Sequence, residues 1–427
     1  MSKNTLTIHQ KTLPNGLRVV VSPNHNAAVV CITLSYKVGS KNETPDIKGF
    51  AHLFEHLMFE GSANVPKGEF DKYCSQAGGT NNAYTSYDQT TYYMVLPSHQ
   101  TELGMWLESD RMLKFAVTPK ALETQQKVVT EEISQTVENQ PYGRWRTVQG
   151  NIAYTPESAY SWEVYGSKER VAAATMENVK SFYEQFYRPD NACLVITGDI
   201  TEAKAFELSE KYFGEISPNE VLKPALTFKN EWRKSGYDVL KDSVPLNAVF
   251  LSFHIDGFLK DSIHTADILA ALLGEGRSAR LYQSLIYEKQ IASSVGAFVD
   301  KREGSSLFTV LAIAADENVS CETLEGAIQD ELLKIIETEV EDHELLKAKN
   351  SLQTQLAHEL QTSSGTADII ASQVLFWNDA NRIHTILEKY GEVHAKDIRK
   401  FAVETFIKGN MIRVDVVPNG EVSEKIE

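Results

Sequence analysis

The second half of this 427-residue chain repeats the first at one fixed offset. The β-rich run Val30-Cys31-Ile32-Thr33-Leu34 returns 219 positions later as Val249-Phe250-Leu251-Ser252-Phe253. Near the end of each half, Phe182, Tyr187 and Asn191 are matched at the same offset by Phe401, Phe406 and Asn410. Both triplets precede a β-rich segment, 192–198 and 411–417. Two ends in register without a gap mark a duplication. The chain is therefore expected to form two similar domains, 1–215 and 236–427. A linker is expected at 216–235, where Pro218 and Pro224 sit among polar residues with little periodicity.

Within the first half, residues 6–22 read as two short strands around the turn Asn15-Gly16, and 27–38 as a further β stretch. Helical patterns cover 47–60, 66–76, 98–115 and 119–138, and strand character returns at 80–96 and 192–198. The predicted class is α+β, each domain a mainly antiparallel sheet with helices packed on one face.

Composition removes several functions. Fifty-eight acidic against 42 basic residues give a formal charge of −16, which repels a phosphate backbone, so no nucleic-acid partner is expected. No apolar run approaches the roughly 18–20 residues a membrane span needs. Cys31, Cys74, Cys193 and Cys321 are too scattered for a disulfide framework or a cysteine metal site. The N-terminal residues show no apolar targeting core, which points to the cytoplasm and leaves the periplasm open if a signal has been removed.

Of eleven histidines, only His52 and His56 lie four apart. They fall in the helical run Gly49–Phe59, and residues four apart project from one helical face, so both imidazoles can reach one ion. Glu55 stands at the edge of that face, placed to hold a water without ligating. Leu53, Phe54, Leu57, Met58 and Phe59 argue for a buried helix, where unpartnered imidazoles and a carboxylate are costly. A catalytic zinc site needs a third protein ligand. The helix opening at Thr118-Pro119 carries Glu132 beside Val128, Val129 and Ile133, whereas Glu131 is rotated by about 100° toward solvent. Helix phase alone leaves Glu132 open between a buried ligand and a plain surface acid.

His52-Leu53-Phe54-Glu55-His56 is an H-x-x-E-H motif and resembles the pitrilysin (M16) metallopeptidases. The resemblance extends to Val128-Val129-Thr130-Glu131-Glu132-Ile133, to the stretch from Gly78 to Thr90, to Tyr187-Arg188-Pro189-Asp190-Asn191, and to the duplication itself. It implies one zinc ion per chain on His52, His56 and Glu132, a zinc-activated water, and Glu55 as general base. It implies an endopeptidase acting on peptides or unfolded polypeptides enclosed between clamshell halves. Asn82-Ala83-Tyr84-Thr85 resembles the family's substrate-binding edge strand, which takes an extended peptide by strand addition.

The sequence departs from the family pattern twice. A glutamate common seven residues before the third ligand is Gln125 here, an uncharged partner for a ligand. In the second half Arg280 matches the family's substrate-binding arginine, but the tyrosine 13 residues later is Ser293. That gap implies a heterodimer with a homologous chain supplying an Arg/Tyr pair, with a homodimer as the alternative. At the offset, the motif positions become Ala271, Gly274 and Glu275, so the second half is expected to carry no metal. The rival reading is a non-catalytic scaffold or assembly subunit, which has no need of an intact motif.

Overall fold

In a computed structural model, residues 6–217, 232–406 and 409–420 are described. Contacts gather the chain into two compact units, one of Met1–Ile133, Val164–Thr227 and Leu356–Ile386, the other of Ser134–Glu163, Phe228–Gln355 and Leu387–Glu427. Each unit therefore contains a segment from the other half of the sequence, unlike the contiguous division at 215 and 236. Most of the expected linker lies outside the described residues.

The first unit is built on a six-stranded sheet of β1 (His9–Thr12), β2 (Arg18–Pro23), β3 (Val29–Tyr36), β4 (Thr80–Thr85), β5 (Thr90–Pro97) and β6 (Ala192–Gly198). Its order is β1-β2-β6-β3-β5-β4, antiparallel throughout except for the parallel pair β2/β6. The second unit holds β7 (Gly236–Asp242), β8 (Ala248–Asp256), β9 (Ala292–Asp300), β10 (Ser305–Ala314) and β11 (Met411–Pro418), ordered β7-β11-β8-β10-β9. Its parallel pair is β7/β11. From β2 onward the first order, β2-β6-β3-β5-β4, is the same sequence of equivalent strands as the second, β1 being an addition at one edge, and helix Met176–Phe186 finds its counterpart in Ala395–Thr405 at the 219-residue offset. The fold class is the expected one.

Helices cover both faces of the first sheet rather than one. Ile32 points toward helix Thr101–Leu113, where a side-chain carbon on Gly104 would come within 2.6 Å of it. Adjacent strand residues face opposite ways, and Cys31, with Val20, Cys193 and Val195, packs against Ala367, Ile370 and Val374 of helix Ser363–Trp377. That helix comes from the second half of the sequence. In the second unit the equivalent helix from the first half, Trp145–Ala153, covers Phe250, Val414 and Val416, with Trp145 stacked on Phe250 at 4.2 Å. Phe253 faces the other way, against Phe406. The duplicated halves thus trade one helix each.

The traded segment in the second unit also anchors a buried histidine. His254 on β8 pairs through Nε2 with the Ala153 carbonyl at 2.9 Å and through Nδ1 with Ser305 Oγ at 3.0 Å. Burial pushes its pKa down to about 4, with Arg302 adding to the shift and the carbonyl opposing it. A histidine held below its unfolded value near 6.5 contributes stability that is full above that value and lost as pH falls toward 4. About 2 kcal/mol should go by pH 5. Urea unfolding at pH 7 and pH 5 should show that loss, and His254→Gln should flatten it; an unchanged slope in the variant excludes His254 as its source.

Candidate metal centre

Helix Phe50–Leu57 carries the motif on a buried frame. Phe50, Leu53, Phe54 and Leu57 are fully packed, and Phe54 lies 4.4 Å from Tyr187 between ring centres. The helix starts at Gly49, which adopts φ 86° and leaves no room for a side chain, since a Cβ there would meet the Tyr165 carbonyl at 2.3 Å. Gly166 abuts Gly49 from the other side, and a Cβ on it would lie 2.2 Å from the Gly49 nitrogen. This close backbone approach delivers Tyr165 edge-on to His52, 4.9 Å between ring centres. The first free N–H groups of the helix are taken by Glu43, whose two carboxylate oxygens accept from Gly49 N at 2.9 Å and Ala51 N at 2.8 Å. A charged cap at a helix N-terminus satisfies orphan donors and complements the dipole.

Glu132 arrives on helix Pro119–Ile133, which widens immediately afterwards into a π turn at Ser134–Glu138. Val129 and Ile133 are buried, but Val128 is 45% exposed, contrary to the expectation that it shares the buried face. At about 100° per residue, Glu132 lies some 40° from Val128 and 60° from Val129. It therefore occupies the boundary of the stripe and is half-buried, while Glu131 is exposed.

Three of the predicted residues converge. His52 Nε2 lies 3.7 Å from Glu132 Oε1, and His56 Nε2 lies 3.3 Å from Glu132 Oε2. Their donor atoms all fall within 4.8 Å of one another, the one such cluster among the described residues. The positions matched to His52 and Glu55 at the offset, Ala271 and Gly274, lie in the apolar helix Ser262–Gly274. Burial drives the His52 pKa down to about 4, helped by His56 and opposed by Glu132, so its ring is neutral at pH 7. Burial also works to lower His56, but the hydrogen bond and charge of Glu132 overcome it and the net shift is upward. Glu132 is lowered, first by the hydrogen bond from His56. His52 Nδ1 is buried without a hydrogen-bond partner, so the ring has its interactions on the Nε2 side. Two imidazoles and one carboxylate with their donor atoms gathered this closely fit the three protein ligands of a catalytic zinc.

Glu55 stands apart from that donor set. Burial raises its pKa, against the hydrogen bond it accepts from Thr85 Oγ1 and the charge of His56. A carboxylate of raised proton affinity beside a candidate metal-ligand group suits proton transfer.

The four edge-strand candidates split across the two faces of β4. Residues directly opposite in a ladder share a face, and Thr85 pairs with Thr90 and Ala83 with Tyr92, on the side of the motif helix. Asn82 and Tyr84 pair with Tyr93 and Thr91 on the other side, where the Tyr84 hydroxyl donates to Asp368 and accepts from Gln89 Nε2 at 2.7 Å. β4 is the last strand of its sheet, so among the described residues one edge carries no partner strand. In the second unit Arg280 makes a two-pronged pair with Glu344, at 3.0 and 2.7 Å, and Ser293 Oγ donates to the Ala314 carbonyl at 2.8 Å.

Comparison with known proteins decides the family. Residues 18–151 match the family described as Insulinase (Peptidase family M16), and 173–352 match the one described as Peptidase M16 inactive domain. The chain belongs to peptidase family M16. The Zinc protease PqqE of Helicobacter pylori is 30% identical over 399 residues, covering 92% of this chain and 89% of that one. A probable mitochondrial-processing peptidase subunit beta of Arabidopsis thaliana is 23% identical over 422 residues, covering 92% and 77%. A crystal structure of a protease from Helicobacter pylori superposes with a TM-score of 0.91 at 29% identity, over 97% of this chain and all of that one. Among the described residues no helix of this M16 chain is long and apolar enough to cross a membrane.

Glu43, Tyr165 and the positioning of Glu55 by Thr85 were not legible in the sequence. Glu43 lies in a loop without periodicity, and Tyr165 reaches the motif only through the paired glycines.

Proposed function

We propose that this M16 chain is a zinc-dependent endopeptidase that hydrolyses peptides or unfolded polypeptides. The observation that carries the reading is the convergence of His52, His56 and Glu132 with Glu55 held beside them by Thr85. A zinc ion held by the three would polarise a peptide carbonyl and acidify water. Glu55 takes the proton from the attacking water and delivers it to the leaving amine nitrogen. The unpaired edge of β4 binds the substrate backbone as an added strand, which holds the scissile bond extended. A scaffold would have no use for two imidazoles and two carboxylates gathered at such desolvation cost.

The active species pairs this chain with a homologous chain that supplies an arginine and a tyrosine. Arg280 is engaged by Glu344 and Ser293 is too short to reach a carbonyl as a phenol would, so these two positions do not offer a free Arg/Tyr pair to a developing oxyanion. Each such donor is worth roughly 3–4 kcal/mol. The test is hydrolysis of an unfolded peptide by the purified chain, alone and with a homologous chain of similar length, with and without a zinc chelator. Expected are weak turnover alone, a large gain with the partner, and loss of both on chelation. Full turnover from the chain alone would sink the heterodimer and favour a homodimer. Absence of bound zinc together with no turnover in any pairing would favour the scaffold.

A further inference from the structure

On the face of the first sheet away from the motif helix, the edge strand β4 borders a cavity of about 220 Å³. That is below the usual range for whole small molecules and far more than one water needs, a size that suits a single long side chain. Thr33, Thr91 and Tyr93 line it from β3 and β5, and Ser364 and Asp368 from the start of helix Ser363–Trp377. Tyr84 lines it from β4, the strand with the open edge. All of these residues belong to the first unit. Asp368 is half-buried and accepts one hydrogen bond, from the Tyr84 hydroxyl, through Oδ1. Burial raises its pKa, against the effect of that bond. Among the described residues no cation pairs with Asp368 and none lines the cavity. A desolvated carboxylate without a counter-ion is costly, and this one borders open space.

We infer that this cavity is a substrate subsite for a lysine or arginine side chain, and that Asp368 is the residue that selects it. The inference rests on the reading of β4 as the strand to which substrate adds. A peptide paired with the open edge alternates its side chains between the two faces of the sheet. Those level with Ala83 and Thr85 go to the side of the motif helix, and their neighbours to the side of Asn82 and Tyr84. The substrate residues that flank the one set toward Glu55 therefore project on the cavity side. An added strand lies roughly 4.8 Å beyond β4, and long side chains on one face reach diagonal neighbours of the adjoining strand. The Tyr84 hydroxyl already spans from β4 to Asp368, and a lysine or arginine stem is as long as a tyrosine. An ammonium or guanidinium there takes the remaining Asp368 oxygen, and the hydroxyl oxygens of the cavity wall accept its other N–H groups.

The probes are two short fluorescent peptides of neutral residues, alike except for one central position, arginine in one and the uncharged, near-isosteric citrulline in the other. Binding to the full chain is read by fluorescence anisotropy with zinc chelated, so that neither peptide is consumed. The parent should bind the arginine peptide about tenfold or more tightly, the effect of a hydrogen bond to a charged group. Asp368→Asn keeps an oxygen for the Tyr84 hydroxyl and removes the charge, and should bring the two affinities together. A residue that merely tied β4 to the helix would leave the ratio where it was. Ser364→Lys supplies a cation from the cavity wall, and should abolish the preference with the carboxylate intact; it decides the matter if Asp368→Asn fails to fold. Equal affinities in the parent would overturn the subsite. So would a preference that survives in the folded variant, since it would come from the overall charge of −16. Hydrolysis of the same peptides by the zinc-loaded chain separates the two readings. Arginine-selective binding without hydrolysis of either peptide leaves the subsite and removes the endopeptidase; hydrolysis of both with equal affinity does the reverse.

Discussion

Replacing Glu55 with glutamine should cut peptide turnover by about 10²–10⁴-fold while the protein keeps its zinc. The amide is isosteric with the carboxylate, and its oxygen can still accept the Thr85 hydroxyl that the parent carboxylate accepts. It cannot take a proton from water at any accessible pH. The three proposed ligands are untouched, and Glu55 is outside their cluster, so metal content should remain at one ion per chain. Both quantities belong on the same preparation, because a loss of turnover with a loss of zinc would point to a ligand and not to a base. Near-normal turnover in a zinc-loaded Glu55→Gln protein would remove Glu55 from its role.

Much of this site was legible because it is local. His52, Glu55 and His56 occupy consecutive turns of one short helix, and helical geometry alone places two rings on one face. Glu132 was legible in part: phase brought it to the margin of a buried stripe, and the structure leaves it there, half-buried with Val128 turned outward. The fold class followed from strand patterns mixed with consecutive helices, and the duplication from the offset repeat, whose equivalent strands β2–β6 and β7–β11 take equivalent places in their sheets.

The rest depends on contacts between segments far apart in the chain, which periodicity does not encode. Helix Ser363–Trp377 covers the reverse face of a sheet whose first strand begins at His9. Its own sequence shows only a helix apolar enough to be buried. Gln125 Nε2 donates to Glu60 across 65 residues of chain, and Arg280 pairs with Glu344 across 64. A matched arginine in the sequence says nothing of the acid that occupies it. The exchange of helices has a kinetic consequence of its own. Ala367, Ile370, Ala371 and Val374 are completely buried against the first sheet, so the first unit cannot bury that face until the chain is complete to about residue 377. Contacts of such sequence separation slow folding, because loop closure precedes the gain from burial.

Of two adjacent glutamates, only one should matter to the metal. Glu132→Gln is expected to weaken zinc binding by more than the roughly 10–100-fold typical of an outer partner, whereas Glu131→Gln should titrate zinc like the parent. Glu132 turns one oxygen to each imidazole, at 3.7 and 3.3 Å. A glutamine there would present an NH2 to one of the two nitrogens, and neither its neutral oxygen nor its nitrogen matches a carboxylate as a ligand for a divalent cation. Glu131 is turned about 100° around the helix axis onto the exposed side, and its amide leaves the cluster unchanged. Chelator competition on the two variants and the parent gives the answer directly. Thermal unfolding checks that each variant is folded, and the pattern is specific because both substitutions remove one charge from the same turn. Zinc loss in Glu131→Gln with retention in Glu132→Gln would mean that the carboxylate reaching the histidines is the other one, and the geometry of the centre would have to be redrawn.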